Sequence, residues 1–263
     1  MNERLRILKL LEDGKINADE AARLLEALSQ SDTKDRRKRH KILHSVEKIP
    51  EIVTLVTDHA FKHTFEKRHM RFNKKSNIEL KGISGTFGIR GSDTEAIDIE
   101  KDGFAKVVEQ NDSLIIKAIH GDLQMNVPLH TDFRVKNVSG DVHIAGIDGN
   151  LSIASVSGKI HGHKLAGSLK ADFISGDIEL DYLRVTDVKI TSKSSNIILL
   201  LDENTEAAIG VETEDGDIVC EFELMNEEKT PTVLRGTLNK PTAKVSIKNE
   251  HGDTAIKKRI VAS

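Results

Sequence analysis

The sequence predicts a mainly β chain: a β-solenoid of about 18–20-residue coils preceded by an α-helical hairpin and a basic, partly helical linker. Three observations predict it. The stretches "NVSGDVHI" from Asn137, "SVSGKIHG" from Ser155 and "FISGDIEL" from Phe173 follow one another at intervals of 18 residues. Apolar residues alternate with polar ones on both sides of each tripeptide, the period of a half-buried strand. The first 28 residues instead repeat leucine at helical spacing.

Composition bounds the rest. The chain has 263 residues, 38% hydrophobic and 31% charged, which suits a soluble domain with an appendage. Eight Phe, one Tyr and no Trp argue against sites that stack sugars or nucleobases, so nucleic acid is not an expected partner. The single cysteine, Cys220, cannot close an intrachain disulfide, so nothing demands an oxidising compartment. "MNERLRILKLLEDG" lacks the uninterrupted apolar core of a signal peptide, and no 18-residue apolar run is present. The expectation is a cytoplasmic protein or one peripheral to the cell envelope.

The net charge of −3 is unevenly spread. Residues 1–28 carry 5 Lys/Arg and 6 Asp/Glu, residues 29–75 carry 13 and 6, and residues 76–263 carry 21 and 30. Three segments follow: a hairpin over 1–29, a basic linker over 30–76 and a repeat domain over 77–263.

In the hairpin, Leu5, Leu8 and Leu11 share a helical face and Gly14 ends the helix. Asn17 caps a second helix with Glu20 reaching back, and Ala21, Leu24, Leu25 and Leu28 form its stripe. So short a segment buries too little to stand alone, so it needs a partner: another copy or the rest of the chain. The linker opens with "KDRRKRHK", where Lys34, Arg36, Arg37, Lys38, Arg39 and Lys41 are either a solvated run or a surface for anionic lipid headgroups or nucleic acid. A helix from Pro50 to about Glu66 places Ile52, Leu55, Val56, His59, Ala60 and His63 on one face. It fits a membrane surface or a cap on the next domain equally.

In the repeat domain, glycines in the Ser-Gly-Asp context stand at 85, 121, 140, 158, 176, 216 and 252. Ser194, Ser195 and Asn196 fill the longest gap, and the two intervals of 36 equal two units each. Each unit reads as strand, corner, strand and polar turn. Parallel stacking gives a solenoid; a sandwich of hairpins is the rival, disfavoured because hairpins would reverse direction between copies.

The segment from about 77 to 257 resembles the adhesin-like β-strand-repeat domains, through "VPLHTDFRVKNVSGDVHI", the repeated corners and the closing "KVSIKNEHGDTAIKK". "ILKLLEDGKINADEAARLLEAL" resembles the SHOCT-like helical hairpin, with Gly14-Lys15-Ile16 and Glu20-Ala21 as matching positions. The resemblance implies a bacterial protein linked to cell-envelope stress and surface exposure, with no shared catalytic motif and no cofactor.

The residues themselves carry four chemical readings. Ser139, Ser157 and Ser175 sit in near-identical contexts without a consistent histidine, so they are structural rather than nucleophilic. With Gly140, Asp141, Gly158, Gly176 and Asp177 they make the corners, and Gly140→Val is expected to destabilise where Ser139→Ala costs little. Asp122, Asp141, Lys159, Asp177, Asn196, Asp217 and Asp253 align in one column, but Lys159 would repel a cation there. His143, His161, His163 and Glu179 project outward on successive coils, the one set able to share a transition metal if they converge. Gly158-Lys159 lacks the glycine and hydroxyl residue of a phosphate loop.

These readings give a non-enzymatic scaffold, adhesin-like or sensing, whose hairpin mediates self-association or docks a protein partner. The acidic solenoid serves recognition and the basic run meets an anionic membrane. A polymerising cytoskeletal solenoid is the first alternative. A polysaccharide-acting enzyme using Asp177, Glu179 or Asp181 is the second.

Overall fold

A computed structural model describes residues 68–259; the hairpin, the basic run and the helix expected from Pro50 lie outside the described residues. Within 68–259 the chain is mainly β and forms a solenoid whose coils each contribute a strand to two faces. In the first clear coil, β6 (Asp132–Asn137) lies on one face, residues 138–140 turn the corner, and β7 (Asp141–Ala145) lies on the other. The next coil opens with β8 (Asp148–Ser155), parallel to β6 with Phe133 beside Leu151 and Val135 beside Ile153. The chain then runs through further corners as β9 (Ile160–Leu201), pairing in parallel with both β7 and β8.

Alternation decides which side chains enter the core. Phe133, Val135, Val142, Ile144, Leu151, Ile153, Ile160 and Leu169 are all at most 3% exposed, and they join one continuous cluster running the length of the stack. The intervening positions face out, so each outward residue stacks on its equivalents at about 4.8 Å per coil.

Both ends depart from the expected plain succession of coils. The coil of β2 (Asn77–Gly82) and β3 (Thr86–Ser92) does not end the stack. It lies between the 132–145 coil and β5 (Ser113–Pro128), parallel to both. Beyond it, β4 (Ala96–Gln110) pairs antiparallel with β5 across both faces, and β1 (Arg68–Asn73) pairs antiparallel with β4. Strand β1 falls in the stretch read from sequence as linker.

The other end mirrors this. β14 (Ala243–His251) and β15 (Thr254–Lys258) slot in parallel between β9 and the strands β10 (Ala207–Asp215) and β11 (Ile218–Cys220). β13 (Val233–Leu238) and β12 (Met225–Lys229) then close the first face in antiparallel register.

The two 36-residue intervals are therefore corrected: each holds an antiparallel insertion, not two stacked coils. An antiparallel pair keeps the same inward-outward alternation as two parallel coils, which is why the spacing conceals it. The stack ends in charged edge strands, "RHMRFN" and "MNEEK", a pattern that discourages edge-to-edge growth.

Candidate functional site

The corners come first, because they position everything outward of them. Gly140 has φ of 113°, Gly158 115° and Gly176 130°, in the region that side chains resist. The backbones meet there too closely for a Cβ: one on Gly158 would lie 2.1 Å from the Gly140 carbonyl oxygen. Ser139, Ser157 and Ser175 donate through Oγ to the carbonyls of Ile83, Val138 and Val156 on the neighbouring coil, at 3.2, 3.4 and 3.2 Å.

The acids of the column act the same way. Asp141 Oδ1 accepts the Lys159 amide at 3.0 Å, Asp122 that of Thr86 at 3.3 Å and Asp253 that of Asp217 at 2.9 Å. Asp177 Oδ1 accepts from Asn196 Nδ2 at 3.2 Å. The column is a seam between coils.

Inside several corners lie buried polar pairs that sequence reading missed. Asn137, Ser155, Ser192 and Asn249 are buried in register three residues before the corner position. Asn137 Nδ2 donates to the Gly140 carbonyl at 3.1 Å, and Asn249 Nδ2 to the carbonyls of Gly252 and Ser195 at 2.9 and 2.8 Å. The signal was present: a small polar residue recurs at that position, against the apolar alternation.

The histidines lie on the second face, at a groove of 660 Å³ bounded by β9 and the end of β15. Because β7 and β9 are in register, His143 stacks on His161, ring centroids 5.2 Å apart and planes 5° from parallel. His161 Nδ1 stands 3.7 Å from Glu179 Oε2. His163 turns instead to Asp181, its Nδ1 2.8 Å from Oδ2. The four side chains expected to converge thus divide into a stacked pair with its carboxylate and a separate His163–Asp181 pair. Among the described residues, no three His, Cys, Asp or Glu side chains are placed to hold a metal ion.

Asp181 is the anchor of this groove. It is 6% exposed, accepts hydrogen bonds from the Lys164 amide at 3.2 Å and from Arg259 Nε at 2.5 Å, and lies beside the His163 ring. Lys164 takes a left-handed φ of 52° to aim that amide. Arg259 is 78 residues from Asp181 and belongs to no repeat, so no spacing rule could have found it. Lys34, Arg36, Arg37, Lys38, Arg39 and Lys41 lie outside the described residues.

Fold and corners together define a non-globular repeat scaffold: a β-solenoid with hydrogen-bonded seams and two exposed faces. A family model described as Toastrack DUF4097 matches residues 73–257, and one described as SHOCT-like domain matches residues 2–32. The chain belongs to the Toastrack DUF4097 family. Among solved structures it is similar to a "putative cell adhesion protein" from Clostridium sporogenes, 12% identical over 74% of this chain and 100% of that one, with a TM-score of 0.46. It is also similar to a "putative adhesin" from Parabacteroides merdae, 10% identical over 74% of this chain and 96% of that one, with a TM-score of 0.22. No curated protein matches it. Among the described residues, no helix is long and apolar enough to cross a membrane.

Proposed function

We propose that this chain is a non-enzymatic, adhesin-like or sensing scaffold of the bacterial cell envelope, with the repeat domain as its recognition body. The observation supporting this most directly is the use of the repeated serines and acids. They bond coil to coil, as in Ser139 to Ile83 and Asp141 to Lys159, so the one repeated chemical motif serves the backbone. What remains outward is a rigid array of unlike columns, suited to binding. In this reading the SHOCT-like hairpin over 2–32 self-associates or docks a protein partner, and residues 34–41 bring the body to an anionic membrane.

Flotation of the full chain with vesicles of phosphatidylglycerol and phosphatidylcholine tests the membrane half. Binding should fall with salt and vanish on deleting residues 34–41, because each Lys or Arg near such a surface contributes about 1 kcal/mol. Binding that survives the deletion rejects that role.

A further inference from the structure

The repeat domain is acidic overall, yet its first face gathers a set of exposed cations. Register places Arg134, Ser152 and Lys170 at outward positions of one column on three successive coils, and sets Lys189 beside Ser246 further along the same face. Flanking columns add Lys136, Lys244 and Lys248 on the same face. Arg134, Lys170, Lys189, Lys244 and Lys248 are exposed, and none makes an ion pair among the described residues. Lys136 is already engaged, at 3.2 Å from Glu79. A shallow cleft of 810 Å³ crosses this face, with Arg134, Lys170 and Lys189 on its walls and Asn150, Ser152 and Ser168 between them.

We propose that this face binds a linear acidic polysaccharide laid along the solenoid axis, its carboxylates on Arg134, Lys170 and Lys189. Three features select that occupant. Arg134 and Lys170 stand two rungs apart, with Ser152 between them, on a ladder of about 4.8 Å per coil, roughly the span of two pyranose rings, whereas duplex DNA presents a phosphate every ~3.4 Å per strand. Between the cations stand hydroxyls and amides, the groups that bond sugar hydroxyls. No aromatic ring faces the cleft: Phe133 and Phe173 point into the core, so neither bases nor sugar rings stack there, and the occupant is held by charge and hydrogen bonds alone. Asp187 also lines the cleft and opposes an anion, while Asp132 is occupied by the amide and side chain of Asn150, both at 3.0 Å, and Glu79, in register beside Arg134, is paired with Lys81 and Lys136.

The test uses the full chain and fluorescently labelled oligogalacturonate, read by anisotropy across a salt series. Binding should weaken with salt, and Arg134→Gln/Lys170→Gln/Lys189→Gln should reduce affinity at least about tenfold. Neutralising residues 34–41 should leave that ratio unchanged. Asp187→Asn should tighten binding about two- to fivefold, a gain that misfolding cannot produce. Neutral dextran should not compete. The proposal is overturned by absent oligogalacturonate binding, by indifference to the triple variant, or by a triple-variant loss for single-stranded DNA or anionic vesicles exceeding that for the oligosaccharide. A change in sedimentation coefficient caused by the triple variant would assign the face to a second copy instead.

Discussion

Gly140→Ala isolates the corner, because the perturbation is one methyl group and its surroundings are backbone. At φ of 113° an L-residue carries strain of about 1–3 kcal/mol. The added Cβ would also lie 2.2 Å from the Gly85 carbonyl oxygen, about 1 Å short of the ~3.3 Å at which carbon and oxygen ordinarily meet. Relief requires the two coils to part locally. That stretches the Ser139 and Asp141 amide bonds to Ile83 and Gly85, now 2.9 and 3.1 Å, and the Ser139 Oγ bond to Ile83 at 3.2 Å. Losing part of each, at about 1 kcal/mol apiece, brings the expected total to about 4 kcal/mol. Gly146→Ala is the matched control. It has φ of 65°, its nearest neighbour would be the Gly91 carbonyl oxygen at 3.3 Å, and its expected cost is about 1 kcal/mol. Both variants change the unfolded chain alike, so the difference reports the folded corner. Equilibrium urea unfolding with unchanged m values measures it. If Gly140→Ala costs no more than Gly146→Ala, the corner geometry is not what holds adjacent coils together.

Three further outcomes follow from other parts of the fold. Asp181→Ala should destabilise by about 3 kcal/mol, since it strands the largely buried Arg259 and removes the partner of His163; thermal melts should show it, and combining it with Arg259→Met should recover part of the loss. Tyr182→Phe should be neutral or slightly stabilising, because the buried phenol oxygen has no hydrogen-bond partner among the described residues and burial pushes its pKa up; a loss above about 1 kcal/mol would contradict this. For Glu79, burial raises the carboxyl pKa, but Lys81 and Lys136 at 3.1 and 3.2 Å outweigh it, leaving the group below its ordinary 4.5. A depressed folded pKa means stability present above 4.5 and lost as pH falls through the folded value, so the gap between wild type and Glu79→Gln in acid melts should close on acidification.

The repeat was legible because it is a corner requirement. Residues 139–141, 157–159 and 175–177 recur where the backbone must turn beside its neighbour, and the inward alternation of Val142, Ile144, Ile160 and Leu180 follows from the same register. The order of the coils was not legible. Gly103 lies 18 residues from both Gly85 and Gly121 and turns with a φ of 117°, so the β4–β5 hairpin imitates the solenoid interval. The contrary cue was the two-residue turn at Asn111-Asp112, where Asn111 takes φ of 47° in the manner of a tight hairpin. At the histidines, spacing set His143 beside His161, but His163 turns to Asp181, which Arg259 holds, and a contact across 78 residues leaves no periodic trace.

Repetition itself separates structure from recognition in this chain. A position that every coil needs for folding repeats, as Ser139, Ser157 and Ser175 do. A position free of that demand drifts. On the second face, Ile198, Ala255 and Val219 stand in register on adjacent coils, and His143 and His161 do so further along. Such a surface changes from aliphatic to imidazole along its length with no consequence for the seam. The first face instead keeps cations at Arg134, Lys170 and Lys189 although the domain as a whole is acidic. Folding does not require them, because those side chains are exposed and their columns also admit Ser152 and Ser246. Like charges gathered on one face repel one another, which costs stability unless an anion lies across them. Their presence despite that cost is the argument for a ligand.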